Sequence, residues 1–148
     1  MRRYLFVLPF VIACGRAETP EADTAAMAAA PAALTEADVA GTWTGTAMME
    51  GSDSVIAHWT NICSAGTCRF TTTESPTDTI TSTYVLEADS MRGTSQPYPE
   101  PTAGGAMVID SWVARLAGSQ VTGTGMAKLA DKPDSVVMRY RFTGSKTM

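Results

Sequence analysis

The sequence predicts an all-β domain over residues 35–148, folded as an eight-stranded antiparallel up-and-down barrel. Helix-forming patterns are nearly absent, apart from one turn near 34–41 that Thr35 can cap and Gly41 can end. Apolar and polar residues alternate in short runs rich in Thr, Val, Trp and Tyr, which is typical of strands that bury one face. Turn residues separate these runs, which number eight and lie at about 39–50, 55–63, 68–74, 79–88, 90–96, 106–117, 119–130 and 135–144.

Consecutive strands with short connections favour closure of the sheet, because a barrel leaves no unpaired edge. A β-sandwich of the same strands is the alternative. An eight-stranded barrel has room inside for side chains or for one small ligand. The alternation turns seven large side chains inward, those of Trp43, Met49, Trp59, Tyr84, Met138, Tyr140 and Phe142.

The inward aromatic and methionine side chains suggest a ligand site, although a core filled by the same side chains is the competing interpretation. Small residues share the inner face and fit either a cavity or tight strand coiling: Gly41, Gly45, Gly123 and Gly125. The candidate ligand-binding residues are Trp43, Trp59, Tyr84, Met138 and Tyr140.

The first residues have the layout of an export signal. Arg2 and Arg3 precede an apolar run over 4–12, which is shorter than the roughly 20 residues that span a bilayer core. This run ends in Val11-Ile12-Ala13-Cys14, which resembles the lipobox of bacterial lipoproteins. The resemblance implies that a signal peptide over 1–13 is removed and that Cys14 carries diacylglycerol and a further fatty acid such as palmitate.

The lipobox resemblance also implies a location and a membrane partner. Gly15 follows the cysteine where an aspartate would imply retention at the inner membrane, so the resemblance favours anchoring to the outer membrane, with the outer side of the cytoplasmic membrane as the alternative. The domain then faces the periplasm or the cell surface. Residues 14–34 contain Ala, Pro, Glu and Thr with almost no large apolar side chains, which is typical of a flexible tether.

The charge balance excludes one class of partner. The chain has 11 basic and 15 acidic residues, and removal of Arg2 and Arg3 with the signal leaves a net charge of −6. Nucleic acid is therefore not an expected partner, because neutralisation of phosphates by lysine and arginine supplies most of that affinity. We expect a monomer.

Cys63 and Cys68 flank a glycine-containing turn between two strand-like runs. This spacing suits a disulfide that clamps a hairpin in an oxidising compartment. A redox-active or metal-binding pair is the alternative, but the spacing is not Cys-x-x-Cys and no further cysteine is close in sequence.

Gly41-Thr42-Trp43 on the first strand resembles the opening of the lipocalin and avidin superfamily. The resemblance implies a lipocalin-like barrel in which a basic residue of the last strand, Arg139 or Arg141, covers Trp43. Thr44 stands where avidins have an asparagine, so biotin binding is not implied. Small bacterial protease inhibitors share this barrel type, although their disulfide spans a longer stretch than 63–68.

A meandering chain places successive turns at alternate ends of the barrel. The turns near 63–68, 88–90 and 117–119 share the tethered end, and those near 50–54, 75–78, 97–106 and 130–135 form the far end. The far end then collects acidic residues: Glu50, Asp53, Glu74, Asp78, Glu100, Asp131 and Asp134. The tethered end collects basic ones: Arg69, Arg92, Arg115, Arg141 and Lys146. The long connection 97–105 is a candidate contact loop through Tyr98 and Glu100.

Catalytic patterns are missing from the sequence. His58 is the only histidine and is expected to point outward, because Trp59 points inward. No nucleophile, phosphate-binding or calcium-loop motif occurs, so we expect no catalytic residues, no metal and no cofactor. The function expected is non-catalytic binding of a small apolar ligand or of an envelope partner. The alternative is a surface-acting interaction or protease-inhibitor-like module.

Overall fold

The computed structural model describes residues 33–75 and 77–147. The predicted signal peptide, Cys14 and nearly all of the predicted tether lie outside these residues. Within them no helix has the length and apolar character needed to cross a bilayer. The predicted single turn of helix is present as α1 (Glu36–Val39), and the carboxylate of Asp38 accepts hydrogen bonds from the N–H and the hydroxyl of Thr35.

The predicted barrel is confirmed, and the sandwich alternative is not. Every neighbouring pair of strands is antiparallel, in the order β5-β4-β3-β2-β1-β9-β8-β7-β6, and β5 pairs with β7 to close eight strands into a barrel. The strands are β1 (Gly41–Met49), β2 (Val55–Ser64), β3 (Thr67–Thr72), β4 (Ile80–Glu87), β5 (Ser90–Ser95), β6 (Tyr98–Glu100), β7 (Ala106–Ala117), β8 (Gln120–Leu129) and β9 (Lys132–Lys146).

The connection 97–105 was expected as a loop, but its first part is the ninth strand. β6 pairs with the start of β7, just beyond the stretch of β7 that pairs with β5. Thus β5 and β6 run along the same neighbour and are separated by Gln96 and Pro97. Proline lacks the N–H that a continuous ladder needs, which explains the interruption. The excursion itself is shorter and consists of a 3-10 turn, Pro101–Ala103, followed by Gly104 and Gly105.

The tethered end of the barrel is closed by α1. Trp43, which is 3% exposed, donates its indole N–H to the carbonyl of Val39 at 2.8 Å. The ammonium of Lys146 lies 5.4 Å from the centre of the Trp43 ring and donates to the Asp38 carbonyl at 3.0 Å. A basic residue of the last strand therefore covers Trp43, but it is Lys146 and not Arg139 or Arg141, because β9 runs further than expected.

The turns alternate between the two ends as predicted, but the charges do not separate cleanly. Arg141 pairs in register with Met48 and forms an ion pair with Asp53, so it lies at the far end, not at the tethered end. At the tethered end, Arg92 and Arg115 form ion pairs with Glu87 and Asp89. The predicted basic tethered end was wrong because acidic residues of the same turns neutralise its arginines.

The predicted disulfide between Cys63 and Cys68 is present, and it joins directly paired residues of β2 and β3. Both cysteines are buried. We expect reduction, or the double substitution Cys63→Ala with Cys68→Ala, to lower the free energy of unfolding by about 2 kcal/mol, because the closed loop is short. Urea unfolding with and without reductant measures this loss. An unchanged midpoint would contradict it.

Candidate functional site

A cavity of about 690 Å³ lies inside the barrel, where it extends from Trp43 and Val121 near the tethered end to an opening at the far end. Its rim comes from residues 74, 75 and 77–79 between β3 and β4, and from β6 with the 3-10 turn. At the other end, α1 and the buried ring of Trp43 close the barrel. The volume lies within the range of about 300 to 1,000 Å³ found for small-molecule sites.

The wall of the cavity is mainly aromatic and aliphatic. Trp59 meets Phe142 edge to face at 6.2 Å between ring centres, and Tyr140 lies 6.2 Å from Phe142 in a tilted arrangement. Phe70 and Trp112 extend the wall from β3 and β7. All three tryptophans of the chain therefore line the cavity.

The inner glycines do not themselves provide the empty space. A Cβ atom at Gly125 would collide with the ring of Tyr140, and one at Gly123 would collide with the ring of Phe142. Their missing side chains let these rings lie flat along the neighbouring strand, so that the aromatic wall is thin and the barrel stays open.

Acidic and phenolic groups cluster on one side of the cavity. The hydroxyl of Tyr98 donates to Oδ2 of Asp110 at 2.7 Å. Glu100 is only 9% exposed, and its Oε1 accepts hydrogen bonds from the N–H of Thr102 at 3.0 Å and from the Thr102 hydroxyl at 2.7 Å. The Asp110 backbone is fixed as well, because its N–H donates to Oγ of Ser95 at 2.9 Å. The cluster is thus positioned by β5, β6 and β7 together.

Burial governs the ionisation of this cluster. Burial raises the pKa of Asp110 to about 6, and the nearby Glu100 carboxylate raises it further, against the lowering effect of the Tyr98 hydrogen bond. Burial and the Asp110 charge also raise the pKa values of Tyr98 and Tyr140 well above the usual value. Both tyrosines are therefore neutral hydrogen-bond donors at physiological pH, next to a carboxyl group that titrates near it.

The buried polar atoms without a partner all belong to the cavity wall. Among the described residues these side-chain atoms are Nε1 of Trp59, Oδ1 of Asn61 and Oδ1 of Asp110. An unpaired buried polar group costs about 1 to 3 kcal/mol, so nearly all such groups in proteins find a partner. One donor and two acceptors beside the cavity are therefore without a hydrogen-bond partner.

Four of the five predicted ligand residues line the cavity: Trp43, Trp59, Met138 and Tyr140. Tyr84 is buried but lies outside it, because its hydroxyl donates to Oε2 of Glu36 at 2.6 Å. Burial, followed by this hydrogen bond, raises the pKa of Tyr84 to about 12. Met49 was expected to point inward but is 41% exposed, since it ends β1 at the rim.

Tyr98 and Glu100 were predicted on an outward contact loop, and the structure places both on β6 in the cavity wall. Sequence reasoning did not find Asp110 or Trp112. The signal was present in the alternation of β7, where Val108, Asp110, Trp112 and Ala114 share one face. A lone aspartate in an otherwise apolar inward register marks a polar site inside the barrel.

No family model matches the chain, and no curated protein or solved structure matches it either. Within residues 33–75 and 77–147, no three histidine, cysteine, aspartate or glutamate side chains are grouped so that they could hold a metal ion. His58 is exposed on the outer face of β2, as expected.

Proposed function

We propose that this protein is a membrane-anchored, non-catalytic binding lipoprotein whose barrel holds a small ligand with an apolar body. The observation that carries the proposal is the cavity itself, which is closed at the tethered end and open at the far end. Its aromatic wall offers apolar surface, at about 25 cal/mol for each Å² removed from water. Among its polar groups, Tyr98, Glu100 and Asp110 form one hydrogen-bonded cluster, and small-molecule sites typically combine an apolar wall with such polar groups.

Two of the four carboxyl groups in the cavity wall, those of Glu100 and Asp110, lie close together and raise the question of hydrolysis, which can proceed with a carboxylate pair alone. Here Glu100 is held by Thr102, and Asp110 accepts from Tyr98. Neither histidine nor lysine lies in the wall formed by the described residues. These bonds support binding over catalysis.

A surface-acting interaction or protease-inhibitor-like module is the second candidate function. It is favoured by large apolar side chains that are exposed near the far end: Met49, Val55, Val136 and Val137. These residues belong to the hairpins 49–55 and 129–137, which flank the mouth. Replacement of Val136 and Val137 by serine would then abolish capture of an envelope partner while ligand retention persists.

The membrane anchor in this proposal depends on Cys14. We expect the mature chain to begin at a lipidated Cys14, and a Cys14→Ser chain to lose the lipid mass. Mass spectrometry of the N-terminal peptide measures both. A mature chain with a free Cys14 thiol would contradict the membrane anchor. It would not affect the proposal of a ligand in the cavity, which is tested separately.

Native mass spectrometry of protein isolated from the envelope without denaturant tests ligand retention. We expect a retained small molecule on the parent protein. The variant Ala47→Trp, which would place an indole inside the cavity, should carry none, because Ala47 is buried in the cavity wall. The matched control Thr46→Trp alters the next residue, which does not line the cavity. Equal retention by both variants would overturn the proposal.

A further inference from the structure

The cavity wall carries negative charge and no positive charge. Four carboxyl groups line it in the described part of the chain, those of Glu74, Asp78, Glu100 and Asp110. No lysine, arginine or histidine accompanies them. Glu74, Asp78 and Glu100 lie on the segments that form the rim, and Asp110 lies further along the wall, on β7. A ligand that enters from the far end therefore passes acidic groups before it reaches the aromatic wall.

The inner carboxylates lack the partners that buried charges normally have. Glu87, Asp89 and Asp53 on the outer surface each face an arginine. Asp110 instead has Oδ2 bonded to the Tyr98 hydroxyl and lies beside the Tyr140 hydroxyl, which lowers its pKa, while no cation is near and Oδ1 is buried without a hydrogen bond of ordinary geometry. A buried carboxylate without a cation is destabilised unless a positive group supplies the compensating charge.

The surroundings of Asp110 suit a cation more than any other group. The phenol rings of Tyr98 and Tyr140 and the indole of Trp112 line the same cavity, and aromatic faces attract organic cations within about 6 Å. The unpaired Oδ1 of Asp110 requires a donor, which an ammonium group has and a carboxylate or ether lacks. The unpaired indole N–H of Trp59, a side chain that is 7% exposed, could meet one acceptor elsewhere on the ligand.

We propose that the ligand is an organic amine, whose ammonium group binds Asp110 and whose apolar body lies among Trp59, Trp112 and Phe142. This inference rests on the proposed function, since it names the chemical class that the cavity selects. The ammonium supplies the missing charge and the missing donors. The apolar body gains the hydrophobic contact that any ligand of this cavity would gain.

Three probes of equal chain length separate the inference from the proposed function: decylamine, decanol and decanoate. A saturable change in the intensity or wavelength of tryptophan fluorescence reports binding, because every tryptophan lines the cavity. At neutral pH we expect decylamine to bind about tenfold more tightly than decanol, because hydrogen bonds to charged groups are stronger than neutral ones. Decanoate should bind most weakly, since it brings a further carboxylate to Asp110 and Glu100.

Two variants assign the effect to Asp110. In Asp110→Asn the preference of decylamine over decanol should disappear, so that the ratio of their Kd values approaches one. In the control Asp134→Asn, which removes an exposed carboxylate outside the cavity, the preference should remain. Equal binding of decylamine and decanol by the parent protein would overturn the inference and leave the proposed function intact. Failure of all three probes to bind would overturn the proposed function as well.

Discussion

Replacement of Gly45 by alanine is expected to destabilise the barrel by about 3 kcal/mol or more, the upper range for overpacking a closed interior. A Cβ atom at this position would collide with the carbonyl oxygen of Thr143, and it would lie 2.5 Å from Cζ2 of Trp59 and 2.7 Å from Cα of Gly144. Two of these neighbours are backbone atoms of β9, which the ladder between β1 and β9 holds in register. The strain therefore has no flexible side chain to absorb it.

The matched control for Gly45 is Gly51→Ala in the turn that follows β1. No atom lies within 4 Å of a Cβ at this position, although its φ of +76° adds strain for alanine. That strain is about 1 to 2 kcal/mol. Urea unfolding of both variants measures the difference, and an equal loss of stability in the two would show that the close approach of β1 and β9 is not as tight as described.

Asp110→Asn is expected to stabilise the protein at neutral pH and to remove part of its pH dependence. Because burial raises the pKa of Asp110 from 3.8 to about 6, the folded state binds a proton that the unfolded state has lost. The contribution of Asp110 to the free energy of unfolding is therefore greatest below about pH 4 and is lost as the pH rises to about 6. The loss is about 2 to 3 kcal/mol for a shift of two units. Asparagine stays neutral at every pH, so the variant does not suffer this loss of stability.

The groups that face Asp110 are consistent with a stabilising effect of Asp110→Asn at neutral pH. Tyr98 and Glu100 approach from β6 and Tyr140 from β9, and none of them brings a positive charge. Thermal unfolding of the parent protein and of Asp110→Asn, from about pH 4 to about pH 8, measures the difference in stability that Asp110 causes. The two should converge at about pH 4, separate as the pH rises to about 6, and keep a constant difference above it. A variant less stable than the parent at neutral pH would contradict the assignment of an uncompensated charge.

Most of the barrel could be predicted from the alternation of residues and the positions of turns. The eight predicted runs correspond to β1 to β5 and β7 to β9, because each strand has one wet and one buried face. The alternation of apolar and polar residues does not show at which residue a strand ends. β9 continues to Lys146, and this is why the cation over Trp43 was assigned to the wrong residues.

The sequence pattern did not predict the short strand β6, and the reason is physical. Tyr98, Pro99 and Glu100 contain a proline and an acidic residue, which favour a loop when seen alone. They form a strand because β7 extends past β5 and leaves backbone groups that need partners. A tertiary requirement therefore outweighed the local preference.

The candidate site could be predicted in outline only. Inward aromatic residues were identified from the alternation, and four of the five chosen side chains do line the cavity. Whether large side chains fill a barrel or surround a space depends on how they overlap, and periodicity contains no such information. Asp110 could not be identified from the sequence either. Its hydrogen bond to Tyr98 exists only because Tyr98 lies on strand β6, which the sequence pattern did not predict.

The central claim, that the cavity binds a small molecule, is tested most directly by nuclear magnetic resonance of isotope-labelled protein titrated with decylamine and with decanol. The account predicts that the indole N–H signals of Trp59 and Trp112 shift strongly. The Trp43 signal should shift less, because its N–H is bonded to Val39 at the closed end. Saturable shifts confined to cavity residues would establish the binding site. Shifts limited to the outer surface, or none, would contradict the account.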